Sequence, residues 1–293
     1  KNTNSVVIKN RKNGEILNEL YGEKILIAVG GRPRKPIIQG ASLAWTSDDM
    51  FLLKSFPNEI TIVGAGYIAC EFACILQGLG VEVTQIVRGE HILRGFDFEL
   101  SSALTEAMKS KGINLRFGEN VSSIKGTPGS LMIRTSIGKE FHSNGLLFAT
   151  GRQPFLEGLK LEQAGVEIID NKIIVDSEST TNIPNIFAIG DVTNRINLTP
   201  VAIDEGRSFA DRNYGKSNRK VNYELVPYAV FSQPEIASVG MTEETACESI
   251  GKDNIKVYRS IFRPLSKSIS KQGSKCILKL IVNSNTNKVL GCH

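Results

Sequence analysis

Arg88 and Arg94 stand in the stretch "VRGEHILR", at the end of the apolar run "VEVTQIV". A guanidinium stays charged at any working pH and meets phosphate oxygens with two parallel N–H donors, so two of them on one loop could read a phosphate. About 20 residues upstream of the first arginine lies the turn Gly64, Ala65, Gly66, Tyr67, Ile68, Ala69. Gly64 allows a tight turn, Gly66 lets the backbone approach a pyrophosphate, and Ala69 takes the position where helix packs on strand, with the helix N-terminus facing the anion. A unit of this kind that holds NAD ordinarily presents an acid to the ribose hydroxyls at the second strand end. Arginines there predict a 2′-phosphate, and therefore NADPH. The competing reading is a pair of solvated loop arginines, since Gly89 and Glu90 also suit a surface turn.

A second group lies in "NIFAIGDVTN" and "NLTPVAIDEG". Asp191, directly after a strand and Gly190, could accept hydrogen bonds from sugar or ribitol hydroxyls, although a Gly-Asp strand end also serves packing or capping. Thr199 is expected as N-cap and Pro200 at the first helical position, giving a helix N-terminus that could stabilise negative charge on a reduced isoalloxazine ring. Five cysteines in 293 residues form no disulfide framework and no zinc-knuckle spacing, so no metal site is expected and a reducing compartment fits best. Cys70 and Cys74, at i and i+4 on one helix, read as packing residues rather than a redox pair. His91 and His142 have no evident acid or nucleophile partner.

The elements that must position these groups follow from periodicity. "SVVIKNRKNGEILNELYGEKILIAVGG" reads as short strands around an Asn-Gly turn. "EITIVGAGYIACEFACILQGLGVEVTQIV" gives strand, helix, strand, and "FDFELSSALTEAMKSKGINLRF" adds helix and strand; this alternation implies a parallel sheet. "ILIAVGGRP" (25–33) and "LLFATGRQP" (146–154) share one plan, as expected where one domain is inserted into another and the chain leaves and returns. "KIIVD" and "NIFAIG" read as strands, and from about Tyr223 the texture changes to that of a separate α+β domain, with "PLSKSISKQGSK" as a solvated loop. The fold class is thus α/β.

A hydrophobic content of 41% with 22% charged residues suits a globular protein. The net charge of +5 is spread along the chain, which argues against nucleic acid as a partner. No run approaches the roughly 18 apolar residues of a membrane span and no secretory leader is legible, so the expected location is cytoplasmic. The chain opens on Lys1 and ends at "VLGCH", and is expected to be an internal piece of a longer protein.

The order "AVGGRP", "GAGYIACEFA", "VRGEHILRGFD", "FATGRQP", "IFAIGDV", "LTPVAIDEG" and "VPYAVFSQPEIASVGMTEETA" resembles the flavin-dependent pyridine nucleotide disulfide oxidoreductases, and within them the glutathione-reducing branch. The resemblance covers essentially the whole chain. It implies a Rossmann-like NADPH-binding domain (32–153) inserted into a partial FAD-binding domain (1–31 and 154–222), followed by the start of an interface domain (223–293). For NADPH it implies Gly64, Gly66, Tyr67, Ile68, Glu71, Arg88, Arg94 and Gly151; for FAD, Gly30, Arg152, Gly190, Asp191, Leu198 and Thr199. Tyr67 would be the ring that gates the flavin and Glu71 the partner of a flavin-side lysine. On the bare residues alone, an ordinary helix-start aromatic and a first-turn acid are the favoured readings. Arg207, with Ile203 one turn before it, matches the arginine that faces a carboxylate of oxidised glutathione; a surface arginine is the alternative. Asp204 and Glu205 are acids where some relatives carry small residues, which leaves substrate choice open. The resemblance also implies a homodimer, and it places the redox cysteine pair and the catalytic histidine and glutamate outside this chain. Mercuric or dihydrolipoamide-type reductases, or a non-catalytic nucleotide-binding protein, are the alternatives.

Overall fold

The computed structural model describes residues 3–265 and 275–293; most of the expected loop "PLSKSISKQGSK" lies at 266–274, outside the described residues. By internal contacts the chain divides into two compact units, one made of residues 1–32 and 152–223, the other of 33–151 and 224–293.

The first unit opens with the hairpin β1 (Ser5–Lys9) and β2 (Ile16–Tyr21), Ser5 opposite Tyr21. Gly14 takes φ +73°, the left-handed conformation for which the Asn-Gly pair is suited. β3 (Ile25–Ile27) and β4 (Gly31–Pro33) follow.

In the second unit, α1 (Ser47–Met50) starts from a capping box between Thr46 and Asp49. β5 (Glu59–Val63) is buried at four of its five positions, as a central parallel strand should be. α2 (Tyr67–Gly78), β6 (Glu82–Val87), α3 (Phe98–Ser110) and β7 (Asn114–Phe117) complete the expected alternation. An antiparallel sheet that the sequence reading lacked comes next: β8 (Val121–Thr127), β9 (Ser130–Thr135) and β10 (Glu140–Ser143). β11 (Gly145–Phe148) then pairs with β5, giving a parallel sheet of order β11-β5-β6-β7. Alternation along the strands sorts its two faces. Ile60, Ile62 and Val83 pack with Ala73, Leu104 and Met108 of the helices, while Val63, Ile86 and Phe148 pack with Ile124, Leu131 and Ile133 of the antiparallel sheet. Each of the larger of these buried side chains, Ala73 aside, contributes about 1.5–3 kcal/mol.

Back in the first unit, β12 (Arg152–Pro154) pairs with β4, so the repeated "GRP"/"GRQP" plan marks two strands that meet. β13 (Ile168–Ile169) and β14 (Lys172–Ile173) form a short ladder, and β15 (Ile186–Ala188) lies parallel to β3. α4 (Thr199–Asn213) follows, with Phe209 set edge-on to Phe187.

The second unit ends in β16 (Tyr228–Val230), β17 (Ile236–Gly240), α5 (Glu243–Ile250), β18 (Ile255–Phe262), β19 (Cys276–Asn283) and β20 (Val289–Cys292). These strands form one antiparallel sheet of order β16-β17-β20-β19-β18. Val230 and Ile236 join the same core as Ile60 and Leu104, so this sheet shares an interior with the parallel layer. Among the described residues, no helix is long and apolar enough to cross a membrane.

Candidate functional site

The glycine turn joins β5 to α2. Gly64 holds φ +148°, and a Cβ there would come within 2.4 Å of the Ala149 carbonyl oxygen, so no larger residue fits. Gly66 is the N-cap of α2, with no side-chain cap, and a Cβ added to it would meet nothing within 4 Å. The turn is therefore a cradle open at Gly66, toward which the first-turn N–H groups of α2 point. Gln85, fully buried in β6, donates from Nε2 to the Gly64 carbonyl (2.9 Å) and so fixes the turn from the neighbouring strand. A polar residue in the apolar phase Val81, Val83, Val87 of "VEVTQIV" was the available signal for it.

The arginine loop is tied to this turn. Arg88 and Arg94 are exposed, whereas Ile92 and Leu93 between them are buried and anchor the loop. The Leu93 N–H donates to the Ala65 carbonyl (2.6 Å), inside the glycine turn, and Leu93 holds φ +51°, rare for an apolar side chain. Ser101 Oγ donates to the Ile92 carbonyl (2.6 Å), and the Phe96 N–H to that of Leu93 (3.0 Å). His91, also exposed, sets its ring edge-on to Phe98 at 4.9 Å. Nothing in the sequence pattern marked Leu93.

Tyr67 begins α2 and packs partly buried against its core, with Ile68 beside it. Glu71 accepts a hydrogen bond from the Phe231 N–H (2.8 Å), which ties α2 to the C-terminal sheet. Gly151, φ +132°, is exposed after β11. Cys70 and Cys74 are buried, and burial pushes the Cys70 thiol up to about 12, the opposite of an activated thiolate. All five cysteines are free.

The second set of residues lies in the first unit. A Cβ on Gly31 would come within 3.2 Å of the Asp191 side chain, and Arg152 donates to the Gly31 carbonyl (2.6 Å) while standing 3.9 Å from Asp191. Gly30 and Gly190 both take positive φ, at +71° and +72°, a left-handed conformation that glycine adopts without strain. The start of α4 needs a correction of one residue: Leu198 is the N-cap, in extended conformation, and Thr199 and Pro200 are the first helical residues. Leu198 offers no side-chain oxygen to the orphan N–H groups, so they stay available to a ligand. Ile203 and Arg207 lie exposed one turn apart on α4.

The two acids that left substrate choice open have structural partners. Asp204 pairs with Arg219. Glu205 is buried; it accepts from the Gly190 N–H (2.6 Å) and from the Tyr223 hydroxyl (2.7 Å), with Arg195 3.9 Å away. Burial and the Glu205 carboxylate push the Tyr223 hydroxyl up to about 12. Glu205 thus positions the Gly190–Asp191 turn, a role that its helical spacing could not reveal. Among the described residues no group of three or more His, Cys, Asp or Glu side chains could hold a metal ion.

Residues 1–206 match the family model described as pyridine nucleotide-disulphide oxidoreductase, and residues 226–293 match the dimerisation domain of the same family. The glutathione reductase of Nostoc sp. (strain PCC 7120 / SAG 25.82 / UTEX 2576) is 44% identical over 285 residues, covering 92% of this chain and 62% of the relative. That of Burkholderia cepacia is 46% identical over 270 residues, covering 92% and 60%. The chloroplastic/mitochondrial glutathione reductase of Pisum sativum is 44% identical over 282 residues, covering 95% and 51%. The chain thus spans between about half and three-fifths of the length of these relatives. Among solved structures, the HOCl-induced flavoprotein disulfide reductase RclA from Escherichia coli superposes with a TM-score of 0.89 at 28% identity, over 99% of this chain and 66% of that one. Its Cu(II) complex superposes with a TM-score of 0.85.

Proposed function

Because the chain belongs to the pyridine nucleotide-disulphide oxidoreductase family, we propose that it is the greater part of an NADPH-dependent, FAD-containing glutathione reductase. The observation that carries this reading is the hydrogen bond from Leu93 to Ala65, which holds an arginine loop against an open pyrophosphate cradle. NADPH and FAD would supply the hydride and electron transfer, which ends on oxidised glutathione.

The chain's own residues hold and orient these groups. Gly64 makes the tight turn, Gly66 and Gly151 leave room for the pyrophosphate with Ile68 beside them, and Arg88 and Arg94 take the 2′-phosphate. Tyr67 is assigned as the ring that gates the flavin and Glu71 as the partner of a flavin-side lysine. Gly30, Arg152, Gly190, Asp191, Leu198 and Thr199 form this chain's share of the FAD site, where the uncapped start of α4 favours negative charge on the ring. The fit is good, since the space at Gly30 and Gly66 is open and the α4 N–H groups lack side-chain caps. Ile203 and Arg207 are assigned to glutathione. None of the five cysteines is assigned the redox role.

The assignment of residues 1–31 and 154–222 to FAD-binding segments, 32–153 to the NADPH domain and 223–293 to the interface domain belongs to the same proposal. So does a homodimer, supported by the dimerisation-domain match, and a cytoplasmic location, supported by five unpaired cysteines. The test is Arg88→Ala with Arg94→Ala, titrated with NADPH and NADH. Each lost phosphate contact should cost about 10-fold to 100-fold in preference for NADPH. A double variant that still discriminates like the unaltered chain would sink the reading.

A further inference from the structure

We propose that Lys279, on β19 of the C-terminal sheet, is a positioning residue for NADPH recognition: acting through Asp97, it holds the arginine loop in register. This rests on the assignment of that loop to the 2′-phosphate.

Lysine is almost never fully buried without partners, and here the Lys279 side chain is 1% exposed. Its Nζ lies 2.8 Å from Asp97, 2.8 Å from Glu243 and 3.1 Å from Glu99. Arg259 closes the group, 2.7 Å from Glu99 and 2.5 Å from Glu243. Three carboxylates thus meet two cations across α3, α5, β18 and β19. Desolvating such a group is costly and earns little net stability, so its distinctive effect is to fix one geometry. The lysine itself is held firmly, because its N–H and carbonyl both bond to His293 (2.8 Å each).

What it fixes is the exit of the phosphate loop. Asp97 is completely buried, caps α3 by accepting from the Glu99 N–H (3.1 Å), and accepts from the Glu243 N–H (3.2 Å). It follows Arg94 by only two intervening residues, Gly95 and Phe96, and Gly95 has the freedom of φ +91°. On the other side, Leu93 is tied to Ala65. Arg94 therefore sits between two clamps, one on the pyrophosphate turn and one on Lys279. Removing the lysine leaves three carboxylates facing one cation, and Asp97 must turn toward water and take the Gly95 hinge with it. The arginine would lose its aim while the glycine turn stayed in place.

The experiment titrates the full 293-residue chain with 2′,5′-ADP and with 5′-AMP by calorimetry. Lys279→Met should weaken 2′,5′-ADP about tenfold, the worth of one misaligned charged hydrogen bond, and leave 5′-AMP unchanged. Asp97→Asn, which keeps a capping oxygen but removes the charge, should show the same split. Arg259→Met, at the exposed edge of the group, should show a smaller one and serves if Lys279→Met does not fold. Equal weakening of both ligands, or no weakening of either, overturns the inference and leaves the NADPH reading intact. Failure of the unaltered chain to bind 2′,5′-ADP overturns both.

Discussion

The glycine turn with its arginine loop in the second unit and the Asp191 site of the first are built on opposite plans. The former runs from Gly64 to Arg94 without a break, and its parts are joined by near neighbours: Gln85 to Gly64, Leu93 to Ala65, Ser101 to Ile92. The latter gathers Gly30 and Gly31, Arg152, and Asp191 from three places in the chain and depends on a buried acid, Glu205, for the shape of its turn. A contiguous site can be specified largely by glycines and strand ends, with buried charge entering only where the loop leaves it, at Asp97 and Lys279. A gathered one needs charged groups inside the protein to hold its pieces, and those groups become its weak points.

The sharpest break of the first plan is at Gly64. Gly64→Ala puts a Cβ 2.4 Å from the Ala149 carbonyl at a φ that disfavours side chains, and should cost about 4 kcal/mol or more along with dinucleotide binding. Gly66→Ala, into open space, should cost at most about 1 kcal/mol in stability yet weaken NADPH by crowding its pyrophosphate. Thermal unfolding and NADPH titration on both variants separate a steric effect on the fold from one on the ligand; equal melting temperatures would refute the first claim.

Glu205→Leu tests the second plan. It leaves the Gly190 N–H and the Tyr223 hydroxyl without their buried acceptor, for about 2–4 kcal/mol. Hydrogen exchange should quicken at Gly190 and stay unchanged at Gly64, and quickening at both would mean that the two sites are not independent.

These two plans also explain what the sequence made legible. The βαβ alternation, the Gly-x-Gly turn and the arginine pair depend on spacing within about one supersecondary unit, so periodicity exposes them. The "GRP" and "GRQP" echo was readable because two strands that pair obey the same constraints. Lys279 and Asp97 meet across 182 residues, and Glu205 finds Tyr223 beyond the end of its own helix; alone, the lysine and the two acids look like surface charges. β8 to β10 escaped for another reason: "VSSIKGTPGSLMIRT" alternates only in part, because β8 bulges between Val121 and Ser123. Thr199 was misplaced by one residue because a hydroxyl before proline is a good N-cap signal, and Leu198 takes that place without offering one.

Titration offers a smaller, graded contrast. Burial raises the Asp97 and Glu99 carboxyls, but hydrogen bonds outweigh it and leave both lowered, from Lys279 and the Glu243 N–H at Asp97 and from Arg259 and Lys279 at Glu99. Stability from a lowered carboxyl is present above its unfolded value near 4 and is lost as pH falls through the folded one. The acid limb should therefore loosen the second unit. Tyr223, raised to about 12, contributes stability that is present below about 10 and is lost as pH rises through the folded value, which loosens the first unit in alkali. Peptide-resolved hydrogen exchange across pH would show this order, and an acid-loosened first unit with an intact second would contradict it.

The least effect is expected at Cys70 and Cys74, the one pair in the dinucleotide unit that could be mistaken for redox chemistry. Both are buried, Gln85 approaches the Cys70 sulfur at 3.8 Å, and the Gln233 N–H approaches that of Cys74 at 3.4 Å. A thiol held up to about 12 carries almost no thiolate at neutral pH, so it can neither attack a disulfide nor react readily with an alkylating agent. Cys70→Ala and Cys74→Ala each remove only one buried sulfur, which should cost about 1 kcal/mol and leave NADPH affinity unchanged. Thiol labelling of the folded chain should reach exposed Cys292 first and these two only on unfolding. Rapid labelling of Cys70 in the folded state would mean that α2 opens, and the cradle at its N-terminus could then no longer be treated as preformed.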